Sequence, residues 1–380
     1  MTVYFDNAAT TQVRPEAAEA AIKAMTENYG NPSSTHTMGR AAKKILDSAR
    51  KNVASALGAN ENEIVFTSGG TESNNLALFG AAEFMHRRGR HIITTEIEHF
   101  SVVNPIEKLS RQGWDVTYLR PDENGRVTEA DFTAALRDDT VLVSVMLVNN
   151  ETGARNPVED IARVLKNSGS KALLHVDAVQ GLCKVPFSVK TLGADFISVS
   201  AHKIHGPKGV GALYIKRGIR IPPLLMGGGQ ENELRAGTEA IPAIAGFGEA
   251  VRLGMLEMQT ATASMEEVRA QVISLLAEKL PEVRVIGAGD APHILSISLP
   301  GYKSEVLMNF LEAEGICVSK SSACKKGKRS HVLEAMRLPD AVIDGALRVS
   351  FSRYSTVEEA EYFVTKLCEA RERLFVPARR

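Results

Sequence analysis

Up to about residue 215, helical and strand-like patterns alternate along the chain. Residues 38–57 (MGRAAKKILDSARKNVASAL) repeat alanine, isoleucine, leucine and valine at the spacing of one helix face. A short apolar run follows at Glu63–Thr67, then a second helical stretch at Thr71–Arg88. Further β-branched runs stand at His91–Thr95, Val116–Leu119, Val141–Val148, Ala172–Val176, Phe196–Val199 and Val210–Ile215. Strands that alternate with helices predict a mostly parallel sheet flanked by helices, the α/β class.

The texture breaks at Ile221–Thr238, where PPLLMGGGQENELRAGT mixes proline, glycine and polar residues without a period. This predicts a long surface loop, and loops of that length are usually functional. From about Ile241 a long helical stretch leads into a second unit. It has strands at Val283–Ile286, Ile294–Leu299, Cys317–Ser319 and Leu347–Phe351, and helices at Ser304–Glu314, His331–Arg337 and Val357–Phe375. The expected organisation is a large domain at 15–255 and a smaller α+β domain made of 1–14 and 256–380.

Composition narrows the function classes. In 380 residues, 45 Lys+Arg balance 45 Asp+Glu and 44 % are hydrophobic, so a disordered polymer is excluded and nothing marks a coat for nucleic acid or anionic membrane. Cys183, Cys317, Cys324 and Cys368 are too few and too scattered for a disulfide framework, which favours a reducing compartment. The start, MTVYFDNAATT, lacks a basic and apolar leader, and no apolar run is long enough to span a bilayer. A cytoplasmic protein is expected, without direct nucleic-acid or membrane partners.

The candidate chemistry gathers at strand ends. Ser200-Ala-His-Lys-Ile-His-Gly-Pro-Lys-Gly begins where the run Phe196–Val199 stops, so Lys203, with Ser200 and His202, stands where open α/β sheets bind ligands. Leu173-Leu-His-Val-Asp177-Ala-Val-Gln180 delivers a carboxylate to a strand end. Asp177 there is either a helix cap or the partner of a protonated ring nitrogen. A metal centre is the weaker reading, because the nearby histidines lack companions at ligand spacing. Phe66-Thr-Ser-Gly-Gly-Thr71-Glu-Ser-Asn-Asn75 is a strand, a glycine turn and a helix start, a pattern that cradles phosphate on backbone N–H groups. It lacks the endings of a Walker loop or a dinucleotide fingerprint. Thr94-Thr-Glu-Ile-Glu-His99 and Asn149-Asn150-Glu-Thr-Gly153 end on the same predicted rim, and Arg348 lies in an apolar strand, either on an exposed edge or reserved for a carboxylate. Cys324 sits in Ser321-Ser-Ala-Cys-Lys-Lys-Gly-Lys-Arg-Ser330, whose cations favour a thiolate. The other three cysteines read as packing residues.

Together these motifs resemble the class-V pyridoxal-phosphate aminotransferase family, and within it the cysteine desulfurases of the NifS/IscS type. The resemblance runs from Tyr4-Phe-Asp-Asn-Ala-Ala-Thr-Thr11 and Asn31-Pro-Ser-Ser-Thr-His36, through the motifs above and RAGTE, to Ser322-Ala-Cys324 and the Arg348 strand. It implies the pyridoxal-phosphate-dependent transferase fold of type I. It also implies that Lys203 bonds covalently to pyridoxal 5'-phosphate, Asp177 meets its ring nitrogen and Gln180 its phenolate oxygen. His99 would stack on the ring and handle protons. Gly70, Thr71, Ser200 and His202 would hold the phosphate, joined by Thr238 of a neighbouring subunit, which implies a homodimer. Asn150 and Arg348 would clamp the substrate carboxylate, Cys324 would take the sulfur of L-cysteine as a persulfide, and no metal is implied. A sulfur-acceptor protein, such as an iron–sulfur scaffold or a tRNA-thiolation enzyme, is the implied partner. Two alternatives stay open: an aminotransferase or selenocysteine lyase of the same fold, and a non-catalytic assembly protein. One departure stands out. The family pattern Ser-Gly-Ser-Ala-Cys reads Lys320-Ser-Ser-Ala-Cys here, with a serine where glycine would take positive φ cheaply. The KKGKR run after Cys324 is suited to steering an acidic acceptor.

Overall fold

The computed structural model describes residues 2–320 and 329–374; Cys324 and its flanking motif lie outside the described residues. In chain order the strands are β1 (Val3–Tyr4), β2 (Ile64–Thr67), β3 (His91–Thr95), β4 (Asp115–Leu119), β5 (Thr140–Met146), β6 (Leu173–Asp177), β7 (Phe196–Ser200), β8 (Gly211–Ile215), β9 (Arg284–Ile286), β10 (Ile294–Ser298), β11 (Ile316–Cys317), β12 (Ser319–Lys320) and β13 (Ala346–Ser350). Seven of them form the large sheet in the order β2-β8-β7-β6-β5-β3-β4. Its neighbours are parallel except where β8 runs against both β7 and β2. The order places the carboxyl ends of β3, β5, β6 and β7 side by side, so motifs far apart in sequence share one rim.

Several helices begin or end for local reasons. His36 caps the Thr37–Leu57 helix by accepting from Gly39 N–H, and Gly58 closes it in the left-handed region (φ 68°). Thr356 and Glu359 form a reciprocal capping box at the start of the Val357–Arg373 helix. The Gly70–Met85 helix starts from Gly69, whose φ of 148° only glycine adopts cheaply. A Cβ on Gly211 of β8 would approach the Cα of Gly69 to 2.7 Å, so both glycines are needed where strand and turn touch.

The second sheet, β12-β13-β10-β9, is antiparallel throughout. Phe5, from the N-terminal segment, packs edge-on against Phe351 and Phe363 with ring centroids 5.1 and 5.9 Å away. The helices Ile241–Leu256 and Met258–Lys279 meet at Glu257, which pairs with Arg14 and Arg353. Those hydrogen bonds hold its carboxyl down to about 2.

Two expectations need correction. The strand expected at Cys317–Ser319 is two pieces in different sheets: β11 pairs with β1, and β12 with β13. The expected surface loop at Ile221–Thr238 carries a buried anchor. Glu231 takes two 2.8 Å bonds from Arg50 and a third, at 2.9 Å, from Phe66 N–H. A glutamate in a polar, glycine-rich run carries no local sign that its ionic partner waits on a distant helix.

Candidate active site

Asp177 ends β6 as a buried carboxylate. Its Oδ1 accepts from Val179 N–H at 3.0 Å, and its Oδ2 from Asn74 Nδ2 at 2.7 Å. The same amide of Asn74 also donates to Ser101 Oγ at 2.8 Å, and Ser101 Oγ lies 2.7 Å from His99 Nδ1. A continuous chain therefore runs from Asp177 through Asn74 and Ser101 to His99. His99 is also the cap of the Phe100–Arg111 helix, its Nδ1 accepting from Ser101 N–H at 3.1 Å. With Nδ1 an acceptor, the neutral ring carries its proton on Nε2. Burial holds His99 below the usual imidazole range; Asp177 pulls the other way, and Lys203 and His331 add to the lowering. Asn74 and Ser101 escaped the sequence reading. Asn74 stood inside the SGGTESNN motif, but only the fold shows that its helix face meets β6.

Lys203 closes the short 3-10 turn that follows β7. Its Nζ donates to Ala8 O and Ala9 O, both at 2.6 Å, so the N-terminal segment lies across it. Gln180 reaches the same carbonyl, Nε2 to Ala8 O at 2.9 Å, while its Oε1 accepts from His293 Nε2 at 3.1 Å. Thr11 binds the other side of the turn, with N–H and Oγ1 both donating to His202 O. His202 Nδ1 lies 3.3 Å from Thr10 Oγ1, and burial followed by the nearby lysines pushes it down to about 4.

Beside this turn is an anion cradle. The first helical bond of Gly70–Met85 is made by Ser73 N–H to Gly69 O, which leaves the N–H groups of Gly70, Thr71 and Glu72 directed out of the helix end. Ser200 Oγ is buried without a hydrogen-bond partner among the described residues. A Cβ on Gly69 would lie 3.8 Å from that oxygen, so the hydroxyl and the helix end face one space. Thr71, at its lip, borders an open groove of about 440 Å³ that His99 and Ser101 also line.

Arg348 is buried on β13, between β12 and β10, and so is not on an edge. Nη1 donates to Asn150 O at 2.9 Å, Nη2 pairs with Asp6 Oδ1 at 3.0 Å, and Nε is buried without a partner among the described residues. The structure thus joins Arg348 to Asn150 through the backbone carbonyl. Neighbouring Glu151 is buried, receives the Ser330 hydroxyl, and is pushed up to about 7 by burial. Thr238 stands exposed on its loop, while Arg235 of the same loop reaches Glu72 of the cradle helix at 2.9 Å.

The family description "Aminotransferase class-V" matches residues 3–363. A cysteine desulfurase of Trichormus azollae is 43 % identical over 376 residues, 98 % of this chain and 93 % of its own. A cysteine desulfurase IscS of Methanosarcina thermophila is 43 % identical over 94 % of this chain and 89 % of its own. The chain belongs to the class-V aminotransferases, in their NifS/IscS branch. A solved NifS-like protein agrees in three dimensions, with a TM-score of 0.93 at 41 % identity, covering 98 % of this chain and all of the other (100 %).

Class-V aminotransferases work with pyridoxal phosphate. The residues present fit that group: an orphaned hydroxyl with three outward N–H groups for a phosphate, a carboxylate held by two donors for a cationic ring nitrogen, and an amine in the turn that follows the Ser200 strand.

Proposed function

We propose that this class-V aminotransferase is a cysteine desulfurase that converts L-cysteine to L-alanine and leaves the sulfur on its own Cys324. The carrying observation is the shared rim, where the Lys203 amine, the Asp177–Asn74–Ser101–His99 chain and the Ser200 cradle stand together. Pyridoxal phosphate, when bound, supplies the electron sink that loosens the bonds around the substrate α-carbon. Lys203 would hold it covalently and, once released, would move the α-proton. Gly70, Thr71, Ser200 and His202 would hold the phosphate, Asp177 would keep the ring nitrogen charged, and Gln180 would hydrogen-bond the phenolate oxygen. His99 would stack on the ring and handle protons. Arg348, whose Nε has no partner among the described residues, and Asn150 would orient the substrate carboxylate.

The overall step balances without an added oxidant. The C–S bond of cysteine breaks, an S–S bond forms to the Cys324 sulfur, and the carbon left behind takes a proton to become alanine. The persulfide then passes to an acceptor protein for iron–sulfur cluster or thiolation chemistry, with the basic Lys325–Arg329 run favouring an acidic surface. Two copies of the chain make the working unit, with Thr238 completing the partner's phosphate cradle. Exposure of Leu224, Leu225 and Met226 on that same loop supports this. The protein works in the cytoplasm.

The test is direct. Protein incubated with L-cysteine should release alanine and carry one added sulfur on the Cys324 peptide by mass spectrometry. Cys324→Ala should keep the cofactor absorption while losing persulfide and nearly all alanine formation. Yellow, loaded protein that makes no alanine would replace this reading with another reaction of the same family.

A further inference from the structure

Asn149 has no part in the roles above, yet its side chain joins two of them. It stands just beyond β5 and is fully buried. Its Oδ1 accepts from Glu151 N–H and Thr152 N–H, both at 2.9 Å, and from Thr152 Oγ1 at 3.2 Å. Those bonds fold the turn 149–152 back on itself, the ordinary use of an asparagine in a turn. The other end of the carboxamide leaves that turn. Nδ2 donates to Ile97 O at 3.0 Å, in the turn that carries His99, and lies 3.2 Å from Met146 Sδ. One side chain therefore ties the two turns together, with both its donors and its acceptor in use.

The peptide joining Asn150 to Glu151 is the part of this turn that faces Arg348. Its N–H is the one gripped by Asn149 Oδ1, and its C=O takes Arg348 Nη1 at 2.9 Å. In a planar trans peptide these two groups point in opposite directions, so holding the N–H aims the C=O. Asp6 takes Arg348 Nη2 at 3.0 Å, and two anchored nitrogens fix the plane of a guanidinium. Other bonds brace the neighbourhood without aiming this peptide. Asn149 N–H to Ala154 O, at 2.8 Å, and the bridge between Val148 and Arg155 close the base of the hairpin. Ser330 holds the Glu151 side chain, not its backbone.

We propose that Asn149 is a positioning residue for substrate recognition: by holding the peptide between Asn150 and Glu151 it aims the Asn150 carbonyl, and through it the Arg348 guanidinium, at the substrate carboxylate in a fixed relation to His99. This rests on the reading of Arg348 and Asn150 as the carboxylate clamp. A guanidinium meets a carboxylate with a strict geometric preference, so a turned guanidinium costs affinity for the carboxylate and not for the amine.

The experiment compares two ligands of the full-length chain loaded with pyridoxal phosphate, L-alanine and ethylamine, which differ by the carboxylate alone. Binding is read from the change in cofactor absorption. Asn149→Ala should weaken L-alanine about tenfold and leave ethylamine within about twofold of the parent. In the cofactor-free chain the same substitution should speed phenylglyoxal labelling of Arg348, followed on its peptide by mass spectrometry, roughly threefold or more. Asn156→Ala controls for stability, because Asn156 braces the same hairpin through Met146 O at 2.9 Å and Val127 N–H at 3.1 Å and has no bond to the aimed peptide among the described residues. It should move neither readout, whatever it does to the melting temperature. Unchanged L-alanine binding or unchanged Arg348 labelling in Asn149→Ala, equal losses for the two ligands, or an Asn156→Ala variant that behaves like Asn149→Ala overturns the proposal. Asn149→Ser, whose shorter side chain cannot span both turns, replaces the alanine variant with the same expectation if a thermal melt shows that one unfolded. Arg348→Gln separates the two readings. L-alanine binding that survives it sinks the clamp itself, whereas a loss there with Asn149→Ala at the parent level sinks only the role of Asn149.

Discussion

Around Asp177 the buried polar groups bond to one another, whereas around Lys203 several have nothing to bond to. On the first side both Asp177 oxygens, the Asn74 amide N–H groups, Ser101 and His99 Nδ1 are engaged, with Asn74 Oδ1 and the nearby Glu98 Oε2 left without partners among the described residues. On the second, Ser200 Oγ, Lys184 Nζ, His293 Nδ1 and Arg348 Nε are buried without partners among the described residues. Satisfied networks stabilise the folded protein by themselves, while orphaned groups lower its stability and are compensated by what they bind. The Asp177 side is a prebuilt wall, and the Lys203 side is the part shaped for ligands.

The sharpest way to break this comparison is Asp177→Asn, which keeps the wall's shape and removes its charge. Alanine formation from L-cysteine should fall by roughly two to four orders of magnitude, the range of a positioned proton-handling group. A variant within a factor of a few of the parent would remove Asp177 from the chemistry. The next test sets one substitution on each side. Ser200→Ala should weaken pyridoxal-phosphate binding about tenfold to a hundredfold, measured by equilibrium dialysis, while the melting temperature of the cofactor-free protein does not drop. Asn74→Ala should instead cost about 1–3 kcal/mol of cofactor-free stability in a urea titration, because it leaves Asp177 and Ser101 short of a donor. If the two behave alike, the distinction between wall and ligand side fails.

The smallest effect expected is on the pH dependence of stability. Burial holds His175, His202 and His205 down to about 4, and His293 well below the usual range. When unfolded, these rings bind protons from about pH 6.5 downwards, so the unfolded chain gains protons that the folded one refuses and stability falls on acidification. Glu98 and Glu151, raised by burial to about 8 and about 7, oppose this: they stay protonated in the folded state and lose their contribution as pH rises through those values. Four rings against two carboxyls leave the cofactor-free protein with a lower melting temperature at about pH 5 than at about pH 6.5. His202→Asn combined with His205→Asn should flatten that acid limb more than His99→Asn does. The asparagine also suits the positive φ of 65° at His205.

Much of this architecture was legible in the chain. The strands of the large sheet fall within a residue or two of the apolar runs, because buried parallel strands advertise themselves by composition, and the order of those strands then brings Asp177, Ser200 and Lys203 together. What stayed hidden depends on tertiary pairing. Asn74 and Ser101 look like ordinary helix-start residues until β6 lies beside them. Arg348 was ambiguous for the same reason. An arginine in an apolar strand is resolved only by what lies opposite, here Asp6 and the Asn150 carbonyl.

The central claim is that Lys203 is the amine that meets the cofactor at this rim. Incubating the full chain with pyridoxal phosphate, reducing with borohydride and mapping the peptides tests it most directly. The account predicts a single phosphopyridoxyl tag on Lys203, and a tag on Lys184 or any other lysine with Lys203 unmodified would contradict it.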